Sequence, residues 1–241
     1  MQITSISWTN VTWNPVRGCS KISPGCKHCY AETFAERWRG VKGHPYEFGF
    51  DIRMVPGVLE APLSWKKPRL IFVNSMSDIF HEAVDTSYIA QMCEVMAECR
   101  QHTFQVLTKR SERMHKLLNG SFQTIARLSN IWWGVSVENS VYVRRVYDLI
   151  DTPTQVRFVS CEPLLERIYN LPLNGIQLVI VGGESGAGAR PMDVNWARMI
   201  RDRCRDCGTA FFLKQLGGYP NKREDISLFP EDLRIRELPS R

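Results

Sequence analysis

The sequence predicts an α/β protein whose parallel strands form a barrel or a partial barrel. Short apolar runs, rich in β-branched and aromatic residues, end repeatedly in polar residues or glycine. Stretches with apolar residues at intervals of three and four separate these runs, as in amphipathic helices. Nearly continuous apolar strands are typical of a parallel sheet covered by helices. Six such units, plus a first strand in SISWTNVTW, favour a barrel, with an open doubly wound sheet as the alternative.

The elements follow in a regular order along the chain. The predicted strands lie in RLIFVNSMSD (69–78), TFQVLTKR (103–110), NIWWGVSVEN (130–139), VRFVSCEPLL (156–165), IQLVIVGGESG (176–186) and TAFFLKQLGG (209–218). Helical periodicity covers 88–99, 114–125, 141–150 and 196–204. Residues 40–68, rich in Gly and Pro, are predicted to form an excursion, and the tail from Tyr219 is predicted to wrap the surface. We expect one domain over residues 1–241.

Composition sets broad limits on the class of protein. The chain has 241 residues, of which 44% are apolar, enough for a sizeable core. No apolar run approaches the length of a membrane span, and MQITSISWTN lacks the basic-then-apolar layout of a signal peptide. We therefore expect a cytoplasmic protein, where reduced thiols favour metal binding over disulfides. The net charge of +6 fits a polyanionic partner.

Three cysteines lie within eleven residues of each other, in GCSKISPGCKHCYAE. Cys19, Cys26 and Cys29 have the spacing C-x6-C-x2-C. Three thiolates from one short loop can hold three corners of an iron–sulfur cube and leave the fourth iron open to a small ligand. Zinc is the alternative occupant, since His28 could complete a site of four ligands. Unligated thiols are a third interpretation, which the clustering between Gly and Pro turn residues disfavours.

Polar side chains gather where the predicted strands end. In parallel α/β barrels, ligands are held at the carboxyl ends of the strands. The residues concerned are Asn74, Ser75 and Asp78, Thr108 and Lys109, Ser136 and Glu138, Cys161 and Glu162, Gly182 to Ser185, and Lys214. The cysteine loop follows the first predicted strand, so we expect it to open at the same end. Gly182 and Gly183 allow a close backbone approach, and Glu184 can accept a hydrogen bond from a ribose hydroxyl or an amine.

An ordered set of motifs resembles a known family. TWNPVRGCSKISPGCKHCYAE, VNSMSDIFH, QVLTKR, WWGVSVEN, RFVSCEPLL, VGGESGAGARPM and FFLKQLGG follow one another from about Trp13 to Gly218. The set is similar to the phage Gp37/Gp68-like family (DUF5131), regarded as an outlying branch of the radical S-adenosylmethionine (SAM) superfamily. The resemblance implies a partial (β/α)6-7 TIM-like barrel, a [4Fe–4S] cluster, and SAM that is cleaved reductively to a 5′-deoxyadenosyl radical.

The resemblance also implies roles for individual residues. Cys19, Cys26 and Cys29, in a loop at 17–32, would hold the cluster. His28 stands where an aromatic residue is usual and would pack on the adenine or, alternatively, bind a metal. The other implied contacts are Asn74, Ser75 and Asp78 for the methionine amino group, Ser136 and Glu138 for the ribose, and Glu162, Gly182, Gly183 and Glu184 for the adenosine. Lys109 and Lys214 would neutralise the methionine carboxylate or reach the substrate, unless they are ordinary solvated rim lysines.

The loop departs from the superfamily's usual C-x3-C-x2-C spacing, because its first gap has six residues. The wider gap leaves the number of thiol ligands unchanged.

Three cysteines outside the loop have separate predictions. Cys161 lies at a predicted strand end, where a thiol could donate a hydrogen atom, as in lesion-repairing members of the superfamily. The alternative is a small buried apolar side chain. Cys204 and Cys207 form C-R-D-C in a helical stretch and are predicted as packing or surface thiols, since no partners for a second metal site are found in the sequence.

Partners follow from the charge and from the resemblance. We expect a nucleic acid or nucleotide as substrate, an external reductant such as a flavodoxin or ferredoxin, and no membrane. One alternative is a non-catalytic nucleic-acid-binding protein stabilised by zinc or an iron–sulfur cluster. Another is a light- or redox-sensing iron–sulfur protein without SAM turnover.

Overall fold

Most of the strands form one main sheet, whose order follows the chain. The computed structural model describes residues 2–220 and 222–239. Its strands are β1 Gln2–Ile3, β2 Val11–Trp13, β3 Val16–Arg17, β4 Arg53–Met54, β5 Leu70–Val73, β6 Thr103–Thr108, β7 Ile131–Ser136, β8 Val156–Cys161, β9 Leu178–Gly182 and β10 Ala210–Gln215. The main sheet has the order β1-β2-β5-β6-β7-β8-β9-β10. Within this sheet of the described residues, β1 and β2 pair antiparallel and all other neighbours pair parallel, so seven parallel strands lie side by side.

A run of parallel strands without a reversal of order is the arrangement of a barrel and not of a doubly wound sheet. The sheet also curls. The ring of Trp8 lies with its centroid 4.6 Å from that of Phe72 on β5 and 6.2 Å from that of Phe158 on β8. Strands β5 and β8, which are three places apart in the sheet, therefore both contact the Trp8 side chain on the inner face. The predicted partial TIM-like barrel is confirmed.

Helices pack on the outer face of the sheet. They are α1 Tyr30–Glu36, α2 Thr86–Glu98, α3 Ser111–Asn119, α4 Gln123–Ala126, α5 Arg144–Ile150 and α6 Val194–Cys207. Met92 on α2 shares the large core with Val73 and Val106 of the sheet, and all three side chains are fully buried or nearly so. The periodicity over 114–125 predicted one helix, but Gly120 ends α3 and a separate short helix follows. No α-helix joins β8 to β9 within the described residues.

The excursion and the tail both return to the barrel. In the excursion, β4 pairs antiparallel with β3 and forms a second, two-stranded sheet beside the cysteine loop. In the tail, Phe229 and Leu233 are buried in the outer core. The Ile235 carbonyl accepts a hydrogen bond of 2.9 Å from the backbone of Leu213 on β10.

Within the described residues 2–220 and 222–239, no helix is both long enough and apolar enough to cross a membrane.

Candidate functional site

A cavity of about 400 Å³ opens at the carboxyl ends of the parallel strands. Its apolar part includes Trp8, Phe72 and Leu107. Most of the predicted site residues line it, namely Cys19, Cys26, His28, Cys29, Asn74, Ser75, Asp78, Lys109, Ser136, Glu162, Gly183, Glu184 and Lys214. Three predicted site residues, Glu138, Cys161 and Gly182, are not part of the lining. The strand ends therefore meet at one site, as the order of strands requires.

The cysteine loop begins against the excursion. Gly18 has a φ of +80°, and a Cβ at this position would lie 2.2 Å from the carbonyl oxygen of Asp51. Only glycine fits both constraints. The backbone N–H of Cys19 then donates to the Phe50 carbonyl over 3.3 Å. The loop continues through a 3-10 turn, Pro24–Cys26, and ends at Cys29, which caps the N-terminus of α1.

Arg110 connects the first cysteine to the end of β6. Its Nη1 donates to Cys19 Sγ over 3.5 Å and to Asp78 Oδ2 over 3.2 Å. Its Nη2 donates to Ser20 Oγ over 2.9 Å, and its Nε to the Glu82 carboxylate over 2.9 Å. The Arg110 side chain is only 4% exposed. A buried guanidinium with these partners fixes the start of the loop.

The hydrogen-bonding capacity of the Asp78 carboxylate is taken up by donors within the protein. It accepts hydrogen bonds from Thr108 Oγ1 at 2.7 Å, from the Phe80 N–H at 2.9 Å and from the Lys109 N–H at 3.1 Å, besides the one from Arg110. A carboxylate with four donors has little capacity left for a ligand.

Glu138 lies beneath the middle of the loop and is fully buried. It accepts from Ser23 Oγ at 2.6 Å and from Arg145 Nη1 at 3.0 Å, and Lys109 Nζ lies 3.5 Å away. A Cβ on Gly25 would lie 2.5 Å from the Glu138 side chain. The loop therefore rests directly on this carboxylate.

Glu184 holds the far side of the loop. It accepts from the Arg190 Nε and backbone N–H, both at 2.9 Å, and contacts His28 Nδ1 at 3.0 Å. Arg190 Nη2 also donates to the Pro24 carbonyl over 2.9 Å. Burial raises the pKa of the Glu184 carboxyl, but the hydrogen bonds from Arg190 and His28 outweigh it and lower that pKa to about 2.

Three strand-end carboxylates thus hold the cysteine loop, each with one arginine. We call Asp78–Arg110, Glu138–Arg145 and Glu184–Arg190 the three clamps. Sequence reasoning found the acids but missed the arginines. Nothing in the local sequence around Arg110, Arg145 or Arg190 indicates that these side chains pair with the acids.

Other polar groups remain available to a ligand. Lys214 Nζ pairs with Glu162 Oε1 at 3.0 Å, and both residues line the cavity. Asn74 has a φ of +57°, uncommon for a residue other than glycine. Its Nδ2 is buried without a hydrogen-bond partner among the described residues. A buried donor without a hydrogen-bond partner is costly.

At the two glycines of VGGESG, the groups that approach the backbone closely belong to the protein itself. A Cβ on Gly182 would lie 2.4 Å from Glu162 Oε1, and one on Gly183 would lie 2.3 Å from the Leu216 carbonyl oxygen. These glycines therefore allow the Glu162 carboxylate and the segment after β10 to close the cavity wall.

Two loop thiols are protonated at neutral pH in the free protein. Burial and the charge of Asp78 raise the pKa of Cys19 to about 11, although Arg110 opposes them. Burial also raises the pKa of Cys29, against the backbone N–H groups of Glu32 and Ala31. Within residues 2–220 and 222–239, no three His, Cys, Asp or Glu side chains are already arranged as a metal site. The donor set suits thiophilic metals, and loading would draw the thiols together and release protons.

The remaining cysteines lie apart from the loop. Cys161 pairs in register with Val181, within the large core that the outer helices cover, and is fully buried. This placement favours the alternative of a small buried apolar side chain over a hydrogen-atom donor. On α6, Cys204 is buried and Cys207 is exposed, which fits packing and surface thiols.

Comparisons with known proteins give a family and a distant structural likeness. The profile of a family described as "Protein of unknown function (DUF5131)" matches residues 3–233. No curated protein matches the chain. Among solved structures, spore photoproduct lyase complexed with dinucleoside spore photoproduct is similar, with 14% identity and a TM-score of 0.49. That alignment covers 81% of this chain, and the chain spans 61% of the other protein's length.

Proposed function

Since the chain belongs to the DUF5131 family of proteins of unknown function, we propose a function from the geometry of its cavity. It is a radical SAM enzyme in which Cys19, Cys26 and Cys29 hold a [4Fe–4S] cluster. One observation carries the proposal: three thiols from a single clamped loop line one cavity, and no fourth cysteine of the described residues does. Three thiolates suit a cube with one open iron, whereas a closed structural site needs a fourth ligand.

The bound group would supply the electron that cleaves SAM to methionine and a 5′-deoxyadenosyl radical. The protein's own residues bind and orient SAM. Lys214 neutralises the methionine carboxylate, because it is a cation facing the cavity beside Glu162. Asn74 and Ser75, which line the cavity at the end of β5, would lie beside the methionine amino group. Ser136 and His28 line the walls where ribose and adenine would lie.

The three clamps position the thiols. Each clamp joins a strand end to a different part of the loop: Ser20, Ser23 and Pro24. The sheet therefore fixes the backbone of the loop, and loading would still have to draw the three thiols of the described loop together.

The proposed substrate class is nucleic acid or a nucleotide. The net charge of +6 supports a polyanionic partner. The cavity of about 400 Å³ is within the usual range for small-molecule sites. An external reductant, such as a flavodoxin or ferredoxin, would supply the electron.

Anaerobic purification and reconstitution test the proposal. We expect brown protein with about four irons per chain, which forms 5′-deoxyadenosine when it is reduced in the presence of SAM. Cys26→Ser should lose both properties. Cys207→Ser is the matched control, because this thiol is exposed and lies outside the cavity. Iron-loaded protein that makes no 5′-deoxyadenosine would reject the enzyme and leave a sensor.

Zinc is the second candidate, and one contact favours it. His28 Nδ1 is paired with the Glu184 carboxylate at 3.0 Å, which is the usual outer partner of a zinc-bound histidine. Colourless protein with one tightly bound zinc, lost in a His28→Ala variant, would establish this site instead. In that case the chain is a metal-stabilised binding protein.

A further inference from the structure

We propose that an aromatic ridge beside the cavity binds single-stranded nucleic acid. The ridge consists of Tyr30, Phe34 and Trp38, spaced four residues apart along α1 and the turn that follows it. Their side chains are 55%, 41% and 36% exposed. Three large exposed rings on one face are uncommon on a surface that has no partner.

The packing of α1 against the barrel explains why the rings are exposed. Ala31 and Ala35 are buried against Tyr46 and Met76. The small alanines let the helix approach the barrel closely. Tyr30 and Phe34 each precede one of these alanines by one position, about 100° around the helix, so their rings lie beside the buried face and remain exposed. The ridge therefore follows from how α1 packs, and its orientation is fixed.

The rings are held in place by their neighbours. Trp38 stacks on His44 with centroids 4.0 Å apart and planes 18° apart. Phe34 meets the ring of Tyr46 edge-on at 5.5 Å. Each ring keeps an exposed surface while its rotation is restricted, so a base could stack on it with little loss of side-chain entropy. Base–aromatic stacking is the main sequence-tolerant contribution in single-strand binding.

Tyr30 joins the ridge to the cavity. Its ring is exposed, and it also lines the cavity. Its hydroxyl donates to the Ser75 carbonyl over 2.6 Å, at the end of β5. A strand that follows the ridge would thus reach the cavity at the cysteine loop.

Exposed cations accompany the rings. Lys27, Arg37 and Lys42 are exposed, and none forms an ion pair within the described part of the chain. Residues 17–54 contain seven Lys or Arg against four Asp or Glu. Positive charge interleaved with aromatic rings suits a phosphate backbone with bases that can stack.

A single strand fits these observations better than a duplex. Stacking on the ridge needs exposed base faces, which a duplex hides between its own base pairs. A base that enters the cavity must also be unpaired. This last step, delivery of the base to the cavity, rests on the proposed function, whereas binding to the ridge does not.

Fluorescence anisotropy of the full chain with a labelled oligothymidylate of about 16 nucleotides tests the ridge. We expect Phe34→Ala and Trp38→Ala each to weaken binding about tenfold, Trp38→Phe to restore most of it, and Arg37→Glu to weaken binding and reduce its salt dependence. Tyr147→Ala is the matched control, an exposed tyrosine on α5, and should bind like the parent. Circular dichroism confirms that each variant is folded.

The possible results distinguish nucleic-acid binding at the ridge from the proposed radical chemistry. Variants that lose oligonucleotide binding but still form 5′-deoxyadenosine without substrate support the ridge. Unchanged affinity in both alanine variants overturns it, whatever the SAM result. Tighter binding of the matched duplex also overturns it, as does a stable complex with protein but none with the oligonucleotide. Absence of 5′-deoxyadenosine with intact, ridge-dependent binding rejects the proposed function alone.

Discussion

The guanidinium of Arg110 donates a hydrogen bond to the sulfur of Cys19, 3.5 Å away. Arg110 lies two residues after the end of β6, so the sheet places a positive charge beside a thiol that would have to ionise to bind a metal. The charge opposes the burial that raises the thiol's pKa. The same guanidinium also pairs with Asp78. One side chain therefore connects the cysteine loop to the strand end and also supplies positive charge to the site.

Arg110→Met should destabilise the fold markedly. It leaves the buried Asp78 carboxylate without its cationic partner, and breaking a buried pair costs about 3–5 kcal/mol. Urea unfolding measures the change. Arg144→Met removes an exposed arginine paired with Glu112 and should change the free energy of unfolding by less than about 1 kcal/mol. Equal effects in the two variants would contradict the assignment of Arg110 as a buried clamp.

Glu184→Gln should remove a pH-dependent part of the stability. The folded-state pKa is about 2 and the usual value is 4.5. A lowered pKa contributes stability that is fully present above 4.5 and is lost as the pH falls toward 2. The melting temperatures of parent and variant should therefore differ most near neutral pH, approach each other below pH 4.5 and converge only at about pH 2. A difference independent of pH would contradict the Glu184–Arg190 clamp.

Gly25→Ala should disturb the loop through Glu138. Its Cβ would lie 2.5 Å from a fully buried carboxylate, so the loop or the Glu138 side chain has to move. We expect a loss of about 1–3 kcal/mol in stability and poor iron loading. Gly57→Ala is the control, since a Cβ there meets nothing within 4 Å. Normal loading of Gly25→Ala would mean that the loop does not depend on this contact.

Lys214→Met should weaken SAM binding without unfolding the protein. The lysine is the cation of the cavity-lining pair with Glu162, and a charge-assisted hydrogen bond contributes about 1.5–3 kcal/mol. Equilibrium dialysis with SAM should give about a tenfold or greater rise in Kd. Lys116→Met, on the exposed surface of α3, should leave the Kd unchanged. Unaltered affinity in Lys214→Met would remove this lysine from the SAM site.

Cys161→Ala should retain 5′-deoxyadenosine formation and coupled product formation. The thiol is fully buried in the outer core and does not line the cavity. The variant should lose about 1 kcal/mol of stability, as for a typical core truncation. Product analysis in deuterated solvent gives the test. A variant that makes the radical product but fails to complete turnover would restore Cys161 as a hydrogen-atom donor.

The sequence predicted the barrel and its functional end because both depend on local patterns. Apolar runs mark strands such as β7, and parallel order forces their carboxyl ends together. The cysteine spacing is likewise local. These features need no knowledge of how distant side chains meet.

The clamps could not be predicted in the same way. Whether Arg110 faces solvent or the interior depends on a contact with Asp78, 32 positions earlier in the chain. Glu138 sits under the loop because Gly25 has no side chain, and the two residues are more than a hundred positions apart. Periodicity carries no information about such pairs, so sequence reasoning identified the acids as ligand contacts and left their partners unassigned.

The gap between the first two loop cysteines is three residues longer than in most radical SAM proteins, and a longer segment ordinarily loses positional precision. Here Ser20, Ser23 and Pro24 are each hydrogen-bonded to the barrel. Lys21 and Ile22 remain exposed between them. The longer gap therefore supplies three additional points at which the loop is held to the barrel, and the chain between them bulges into solvent without loosening the cysteines on either side.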